Sequence, residues 1–338
     1  MHTTADRTAR ISTPADRKLK ITVLRGGPSA EREVSLVSGA AIAEALRRRG
    51  HDVFESDIGP DNLAALERAA DVVFPALHGT FGEDGQAQRI MESRGIRFVG
   101  SGAAASAMAM DKVATKQVAV AAGIRTPAYG AVNSVAAGPR AGRREPEASR
   151  SDHGRHGGRP LPHFASPPVP VVVKPADQGS SVKTFIIRDE GGVEPAVRDV
   201  LSSFSRALVE QFIEGDELTV GILGDQALPP ICIRPRQGFY DYAAKYQADD
   251  TEYVFESHPA AILRQAQEWS LLLHQRLGCR HLSRVDWICD RDGKLWMLEI
   301  NTLPGFTSHS LVPKAAARVG VAFDELCERL VLMALEGD

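Results

Sequence analysis

The alternation of apolar strands and helices in the first hundred residues constrains the fold more than any other feature. A β-branched run at 20–27, KITVLRGG, ends in two glycines, and a segment with apolar residues at helical spacing follows it. Two more strand-like runs, at 51–58 and 71–79, come next, with a short helical segment between them. Strands joined by helices pair in parallel, and ligands bind beyond their C-terminal ends. The pattern therefore predicts a Rossmann-like parallel sheet with Glu31 and His78 at its ligand-binding edge, where His78 either orients a substrate or bonds a neighbouring backbone group.

The remainder of the chain favours antiparallel strands. Three stretches, at 169–189, 207–225 and 282–301, each read as a strand, a turn and a second strand. Helices are predicted over about 106–123 and 259–277, and a last helix closes the chain. The predicted fold class is therefore α/β and α+β, with a Rossmann-like N-terminal domain followed by two α+β domains.

Composition and charge exclude several classes of partner. The chain has 338 residues and a net charge of −3, which gives no electrostatic reason to expect nucleic acid or an anionic membrane as a partner. It contains no run of about 18 apolar residues that could span a bilayer. Four thiols without CxxC spacing are expected to be buried and reduced, as in a cytoplasmic protein. They are Cys232, Cys279, Cys289 and Cys327.

Two segments are predicted to lie outside the folded core. Residues 1–18 lack the apolar centre of a secretory signal and read as a disordered tail. Residues 137–168 are dense in Pro, Gly, Arg and His and read as a flexible insertion. A metal site formed by His153, His156 and His163 is the alternative, although their spacing lacks the pattern of a closed site.

The stretch at 282–301, read as a hairpin turned near Asp292, offers a candidate metal site. A turn of two or four residues would pair Cys289 with Lys294. In the same register Arg284 would lie opposite Glu299 and Asp286 opposite Met297. Because side chains alternate along a strand, one face then carries four polar side chains: Arg284, Asp286, Glu299 and Asn301. Asp286 and Glu299 become diagonal neighbours roughly 6–8 Å apart, and their oxygens, with the amide of Asn301, suit magnesium. A solvated charged face is the alternative, and a three-residue turn would flip the register and dissolve the cluster.

Two loops carry groups suited to phosphate. Lys174 ends an apolar strand, and the loop at 179–181 offers small side chains and backbone N–H groups to anionic oxygens, although it is not a Walker loop. The stretch FYDYAAKY at 239–246 sets Lys245 among tyrosines, either as a lid over a polyanionic ligand or as a cover for the edge of the core. Together with the metal cluster, these loops indicate nucleotide-dependent ligation.

Seven motifs, in order, resemble those of the D-alanine–D-alanine ligases of the ATP-grasp superfamily: GGPSAEREVSL, ALHGTFGEDG, GSGAAASAMAMDK, VVVKPADQGSSV, FYDYAAKY, SRVDWI and LEINTLPGFTSHSLVPK. The resemblance runs from about Ile21 to Leu335 and is interrupted by the insertion. It implies a Rossmann-like N-terminal domain and a two-domain ATP-grasp fold. The implied ranges are 19–101 for the N-terminal domain, 102–210 for the central domain and 211–338 for the C-terminal domain.

The resemblance also implies a role for individual residues. For ATP it implies contacts to the phosphates, the adenine or the ribose from Lys112, Lys174, Ser181, Glu210, Gln211, Ile213, Glu217 and Lys245. For two Mg²⁺ or Mn²⁺ ions it implies Asp286, Glu299 and Asn301 as ligands. For the first D-alanine it implies His78 and a hydrogen-bonded triad of Glu31, Ser180 and Tyr246. Arg284 and the backbone N–H of Gly305 correspond to oxyanion stabilisers, and Ser310 and Leu311 to the group that holds the carboxylate of the second D-alanine.

The implied reaction is the ATP-dependent ligation of two D-alanine molecules through D-alanyl phosphate, for peptidoglycan precursor synthesis in the cytoplasm. The family is typically homodimeric. Tyr246 favours a dipeptide product over D-alanyl-D-lactate, whereas D-serine as the second substrate stays open. Lys183 departs from the family pattern, because glycine usually occupies that position; a side chain there either alters how the loop closes over the phosphates or adds another cation. It supports one alternative, a catalytically silent paralogue that binds nucleotide or a partner.

Overall fold

The computed structural model describes residues 17–134, 164, 166–179, 182–234 and 251–336. Residues 1–16 of the predicted tail, the insertion except for residues 164 and 166–168, and the loop at 239–246 lie outside these ranges. The alternative histidine site at His153, His156 and His163 lies outside them as well.

The N-terminal sheet is parallel, as the sequence predicts. Its strands, in the order β2–β1–β3, are β1 (Lys20–Arg25), β2 (Asp52–Asp57) and β3 (Val72–Pro75). Helix α1 (Arg32–Arg48) and the 3₁₀ helix Ala64–Glu67 connect the strands, and α2 (Gln86–Ser93) follows β3. Both faces of β1 are buried, which explains its continuous apolar run. Gly26 and Gly27 follow β1 with φ of +86° and +81°, a conformation that favours glycine, and they turn the chain toward α1.

The prediction of a single helix over 106–123 is wrong, because the chain forms two helices there. They are α3 (Ala103–Met110) and α4 (Lys112–Ala121). Asp111 separates them with a ψ of 100°, and its Oδ1 accepts hydrogen bonds from the backbone N–H groups of Val113 (2.9 Å) and Ala114 (3.1 Å). This side chain satisfies N–H groups that a helix start otherwise leaves unpaired, so it favours a new helix over a continuous one.

The central sheet is antiparallel and has the strand order β4–β7–β5–β6. Its strands are β4 (Tyr129–Asn133), β5 (Val171–Pro175), β6 (Phe185–Ile187) and β7 (Arg206–Gln211). The predicted hairpin of β5 and β6 is confirmed. A 3₁₀ turn (Glu190–Gly192) leads into α5 (Val193–Leu201), which covers one face of the sheet. Val171 and Val173 point toward α5, so Val172 and Lys174 point to the opposite face.

The C-terminal sheet is antiparallel with the order β11–β10–β8–β12–β13. Its strands are β8 (Gly215–Leu223), β9 (Gln226–Ala227, paired to β8), β10 (Ile231–Arg234), β11 (Glu252–Phe255), β12 (Leu282–Asp290) and β13 (Leu295–Asn301). The remaining described helices are α6 (Ala260–Arg276, close to its predicted span), α7 (Leu311–Arg318) and α8 (Phe323–Glu336). Helices α3, α4 and α6 pack on one face, around Leu218, Ala266 and the fully buried Trp287. All four cysteines are free and buried, as predicted.

The turn between β12 and β13 differs from the one predicted. It has three residues, 291–293, because Asp290 N donates to Lys294 O at 3.0 Å and Gly293 N donates to Asp290 O at 2.9 Å. Cys289 consequently pairs with Leu295 and not with Lys294. By itself, this turn would rotate the two carboxylates of the hairpin to opposite faces.

A β-bulge in β13 restores the shared face. The register shifts between Asp286 and Trp287 and leaves Leu298 as the extra residue. Asp286 therefore lies directly opposite Glu299, and Arg284 lies opposite Asn301. The predicted sharing of one face is confirmed, whereas the predicted register and the diagonal placement of the two carboxylates are wrong.

The N-terminal sheet is anchored on the C-terminal helices. Ile42 and Leu46 of α1 share a core with Val312 of α7 and Leu330 of α8. Arg48 adds a bidentate pair to Asp324, with 2.8 and 2.7 Å between nitrogen and oxygen. The edge of the parallel sheet that is predicted to bind a ligand is thereby held beside the loop that precedes α7. The domain boundaries at 101/102 and 210/211 stay predictions. Among the described helices, none has both the length and the apolar character needed to cross a bilayer.

Replacing Asp111 with alanine tests the helix break. The change removes the cap of α4 and also the partner of Arg206, whose Nη1 lies 2.7 Å from Asp111 Oδ2. We expect the free energy of unfolding, measured by urea denaturation, to fall by about 1–2 kcal/mol. Asp111→Asn keeps a capping oxygen and should lose less than half of that amount. Equal losses in the two variants would contradict the capping role and assign the effect to the Arg206 pair.

Candidate functional site

A cavity that is partly open to solvent lies between the central and C-terminal sheets. Strands β5 and β7 contribute Lys174 and Glu210 from one side, and β8, β12 and β13 contribute Glu217, Asp286 and Glu299 from the other. Its walls include apolar side chains as well, among them Val172, Phe212, Ile213, Ile288 and Leu298. A concave site with apolar walls and a few convergent charged groups is typical of a small-molecule site.

A buried cluster of one carboxylate and two lysines supports one wall of this cavity, which Glu210 and Lys174 line. Lys116 Nζ lies 2.8 Å from Glu210 Oε2, and Lys174 Nζ contacts Glu210 Oε1. Glu210 and Lys116 are almost completely buried. Lys116 was missed in the sequence, although its position one helical turn after Lys112 could have shown that the two lysines share a face of α4.

The protonation states in this cluster follow from its charges. Burial alone would raise the pKa of Glu210, but the charges of Lys116 and Lys174 outweigh burial and hold that pKa at about 2. Burial would lower the pKa of Lys174, yet the carboxylates of Glu210 and Glu299 raise it. Burial lowers the pKa of Lys116, which has a second lysine nearby. Lys174 and Glu210 are therefore both charged at neutral pH, and the ammonium of Lys174 at the cavity suits an anionic ligand.

The cluster is tied to the C-terminal sheet at the β-bulge. Lys116 Nζ donates to Thr126 Oγ1 at 2.6 Å, and Thr126 Oγ1 donates to Met297 O at 2.8 Å. Met297 N, beside the bulged residue Leu298, donates to Arg125 O at 2.8 Å. The bulge thus lets the strand bond to the segment Arg125–Thr126, which leads to β4 of the central sheet.

The carboxylates of the hairpin form the opposite wall. Arg284 holds Asp286 through two hydrogen bonds, Nε to Oδ1 at 2.9 Å and Nη2 to Oδ2 at 2.8 Å. Thr219 Oγ1 also donates to Asp286 Oδ1, at 2.7 Å. Lys112 Nζ lies 3.0 Å from Glu299 Oε2. Each carboxylate therefore has a cationic side chain next to it.

These residues fit a divalent cation of the magnesium type. Asp286 and Glu299 are cross-strand neighbours on the face that carries Asn301, so two carboxylates and an amide group share one face of the hairpin. Hard oxygen ligands of this kind are what Mg²⁺ prefers in proteins, usually with ligand phosphates and water completing its coordination. Asn301 Oδ1 accepts a hydrogen bond from Leu303 N at 2.8 Å, and this bond fixes the orientation of the Asn301 side chain.

Glu31 and His78 meet where the parallel sheet faces the two other sheets. A Cβ atom on Gly79 would come within 2.8 Å of Glu31 Oε2, and one on Gly179 within 3.7 Å, so both loops approach that carboxylate. His78 is buried, with Nδ1 3.1 Å from Leu303 O and Nε2 3.2 Å from Ser38 Oγ. The contact to Leu303 O matches the alternative in which His78 bonds a backbone group, and its predicted role toward a substrate stays a prediction.

Gly305 and Ser310 lie in the loop between β13 and α7. Ser310 precedes α7, and its Oγ is 3.0 Å from Thr307 N. A Cβ atom on Gly305 would lie 3.6 Å from Ser310 Oγ, so the two residues are close. Phe306 N is 3.3 Å from Ser38 Oγ, which joins this loop to α1 and the His78 region.

The structure brings most of the predicted ATP and metal residues to one cavity. Those that line it are Lys112, Lys174, Glu210, Gln211, Ile213, Glu217, Asp286 and Glu299. Asn301 and Arg284 flank the carboxylates through the hairpin register. Glu31, His78, Gly305, Ser310 and Leu311 belong to the loops and helix starts at the junction with the parallel sheet. Ser180, Ser181, Lys245 and Tyr246 lie outside the described residues.

Two family models match the chain. The model described as "D-ala D-ala ligase C-terminus" matches residues 164–332, and "D-ala D-ala ligase N-terminus" matches residues 56–101. The D-alanine–D-alanine ligase of Anaeromyxobacter sp. (strain K) is 42% identical over 314 residues, which cover 92% of this chain and 96% of the relative. That of Gluconobacter oxydans (strain 621H) is 42% identical over 325 residues, with 94% and 99% covered.

Solved structures of ligases share the fold. The D-alanine–D-alanine ligase of Bacillus anthracis complexed with ATP superimposes with a TM-score of 0.74 at 27% identity, covering 94% of this chain and 98% of that one. The VanG D-Ala:D-Ser ligase of Enterococcus faecalis gives a TM-score of 0.74 at 25% identity, covering 94% and 100%. The match to a D-Ala:D-Ser ligase shows that the fold alone does not decide the second substrate.

Replacing Glu210 with glutamine tests the buried cluster. At pH 7 the variant should lose about 3 kcal/mol of unfolding free energy, because two buried lysines lose their anionic partner. The folded-state pKa of Glu210, about 2, lies below its ordinary value of 4.5, so its stabilisation is complete above about pH 4.5 and is lost as the pH falls toward 2. The stability gap between wild type and variant, measured by denaturation from pH 7 to pH 2, should therefore shrink below pH 4.5.

The exposed Glu194 provides the control, since it pairs with Arg198 on the surface of α5. Glu194→Gln should change stability by less than about 0.5 kcal/mol at every pH. A gap for Glu210→Gln that does not vary with pH would contradict the assigned charge state of Glu210.

Proposed function

Because the chain belongs to the family of D-alanine–D-alanine ligases, we propose that the cavity between its antiparallel sheets is where ATP drives the joining of two D-alanine molecules. The observation that carries this proposal is the pairing of the Lys116–Glu210–Lys174 cluster with the Asp286–Glu299 pair across one cavity. Lysine ammonium groups facing two carboxylates provide for a polyphosphate and for the divalent cation that accompanies it.

The nucleotide would lie along the strand ends of both sheets. Gln211 and Ile213 follow Glu210 into the cavity and would face the adenine, and Glu217 on β8 would bond the ribose. Lys112 and Lys174 would contact the phosphates, because their ammonium groups lie within the cavity lining and next to Glu299 and Glu210. Family resemblance adds Ser181 and Lys245 as phosphate contacts.

Asp286, Glu299 and Asn301 would hold Mg²⁺ or Mn²⁺, two ions by family resemblance. When bound, the ions offset the charge of the phosphoryl group that is transferred. Arg284 and Lys112 hold the two carboxylates in fixed orientations before any ion binds, so the donor set is preorganised.

The amino acids would bind at the junction of the parallel sheet with the two antiparallel sheets. Glu31 would take the ammonium of the first D-alanine, in a triad with Ser180 and Tyr246 by family resemblance, and His78 would orient it. The neighbouring Ser310 and Leu311, at the start of α7, would hold the carboxylate of the second D-alanine. Helix starts carry unpaired N–H groups that suit a carboxylate.

The reaction would proceed in two steps. A carboxylate oxygen of the first D-alanine attacks the γ-phosphorus, the bond to the β-phosphate oxygen breaks, and D-alanyl phosphate and ADP form. The amine nitrogen of the second D-alanine then attacks the acyl carbon and loses a proton, and the acyl–oxygen bond breaks to release phosphate. Arg284 and the backbone N–H of Gly305 would stabilise the oxyanion between these events.

The alternatives differ in what they require. A silent paralogue would lack a functional group, yet three ion pairs meet at one cavity: Lys112–Glu299, Lys174–Glu210 and Arg284–Asp286. A D-serine-using ligase keeps the same ATP site and changes only the acceptor. Relatives that are 42% identical carry the D-alanine–D-alanine name, which favours D-alanine.

We also propose a cytoplasmic location, supported by the free thiols, and a homodimer by family resemblance.

The proposed activity is tested by ADP release from purified protein with Mg²⁺, ATP and D-alanine, with mass detection of the product. We expect D-alanine-dependent ADP and D-alanyl-D-alanine. Parallel reactions contain L-alanine, or D-alanine with D-serine or D-lactate. Preferential formation of D-alanyl-D-serine would move the proposal to another acceptor, and ATP binding without turnover would favour the silent paralogue.

Replacing Glu299 with glutamine tests the metal ligands. We expect kcat to fall by about a hundredfold or more and the Mg²⁺ concentration for half-maximal rate to rise, since even groups that support a metal site contribute up to about a hundredfold. The matched control is Glu67→Gln on the far side of the N-terminal sheet, where Glu67 pairs with Arg94 at the surface. An unchanged Mg²⁺ requirement in Glu299→Gln would contradict the assignment.

A further inference from the structure

Lys183 adopts an unusual backbone conformation beside the cavity. Its φ of +47° lies in the left-handed region, which favours glycine and costs a residue with a long side chain about 1 kcal/mol. It follows Val182 and precedes Thr184, and both of these neighbours line the cavity. A residue that holds such a conformation needs a compensating interaction elsewhere.

The side chain of Lys183 supplies that interaction at the end of α5. Its Nζ lies 2.9 Å from Asp199 O, 3.2 Å from Asp199 Oδ1 and 3.2 Å from Ser202 Oγ. An ammonium group has three N–H donors, so these three acceptors engage all of them. A cation at this place is favoured further because the last carbonyl groups of a helix carry partial negative charge.

The contacts of Lys183 point away from the cavity. The sequence left open that this lysine adds a cation at the phosphates, or that it marks a silent site. The three bonds to α5 contradict the first idea, because the ammonium is directed at the helix end. They also remove the structural reason for the second, since the side chain does not obstruct the cavity, whose lining includes Val182 and Thr184 but not Lys183.

The loop that carries Lys183 is held at a second point. Lys112 Nζ donates to Gln178 O at 2.6 Å, and Gln178 and Gly179 line the cavity. Lys112 thus holds the loop before Gly179, and Lys183 holds it after Val182. Lys112 reaches the loop from α4, whereas Lys183 belongs to the loop and reaches out from it to α5.

We propose that Lys183 is a positioning residue that fixes the cavity-lining residues 178–179 and 182–184 by anchoring them to the C-terminal end of α5. The proposal rests on the function proposed above, in which this loop faces the phosphates of ATP. If a loop is displaced in a fraction of the molecules, the apparent affinity for the ligand falls accordingly. A loop that is fixed in its binding geometry avoids this loss. Glycine at this position would relieve the backbone and leave the loop without its anchor.

Kinetics of three variants test the anchor. Lys183→Gly and Lys183→Ala remove the ammonium, and the alanine variant also keeps the left-handed strain. We expect the KM for ATP to rise about three- to tenfold in both, with kcat changed less than twofold, because the chemical groups stay in place. Lys183→Arg retains a cation that reaches Asp199 and should restore most of the affinity. Lys294→Ala, which removes an exposed lysine paired with Asp292 in a distant turn, should leave both constants unchanged.

Two measurements that do not depend on turnover accompany the kinetics. Hydrogen exchange should be faster at the amides of residues 178–179 and 182–184 in Lys183→Gly than in wild type, at equal thermal stability. Calorimetric binding of ATP should weaken by the same factor as KM. Unchanged exchange and unchanged ATP affinity in both the glycine and the alanine variants would overturn the proposal. If wild type binds ATP but does not ligate D-alanine, the proposed function fails while exchange and ATP affinity still decide the role of Lys183.

Discussion

The ion cluster of Glu210 with Lys116 and Lys174 is the interaction on which the site depends. Buried charges are costly to desolvate, so each of these groups is tolerable only while the others are present. The cluster joins β7, β5 and α4, and its hydrogen bonds continue through Thr126 to Met297 on the C-terminal sheet. It therefore sets the spacing of the two sheets and, with it, the shape of the cavity between them.

The β-bulge at Leu298 has a comparable influence on the opposite wall. A three-residue turn alone would have separated Asp286 from Glu299, and the extra residue returns them to one face as direct neighbours. At the same irregularity, the N–H of Met297 donates to Arg125 O and the carbonyl of Met297 accepts from Thr126 Oγ1. One local departure from regular pairing thus aligns the proposed metal ligands and docks the segment that leads to the central sheet. Bulges next to functional sites commonly serve to redirect side chains in this way.

The parallel sheet, the hairpins and most of the long helices could be predicted, because hydrophobic periodicity and glycine turns are local signals. The register of β12 and β13 could not, since a bulge is fixed by the docking of residue 125, far away in the sequence. The break at Asp111 follows from a cap that competes with helix propensity. The burial of Lys116 was not predicted, because it depends on the ion pair with Glu210, and Glu210 lies on a strand far away in the sequence. The shared face of Asp286 and Glu299 was nevertheless predicted correctly, because two errors cancelled: the wrong turn length and the missing bulge.

The central proposal is that the two antiparallel sheets hold ATP phosphates and a divalent cation between the lysine cluster and the hairpin carboxylates. A crystal structure with Mg²⁺ and a non-hydrolysable ATP analogue tests it most directly. We expect phosphate density against Lys112 and Lys174, and a metal ion bonded to oxygens of Asp286, Glu299 and Asn301. Nucleotide density outside this cavity, or an ion that contacts none of these three side chains, would contradict it.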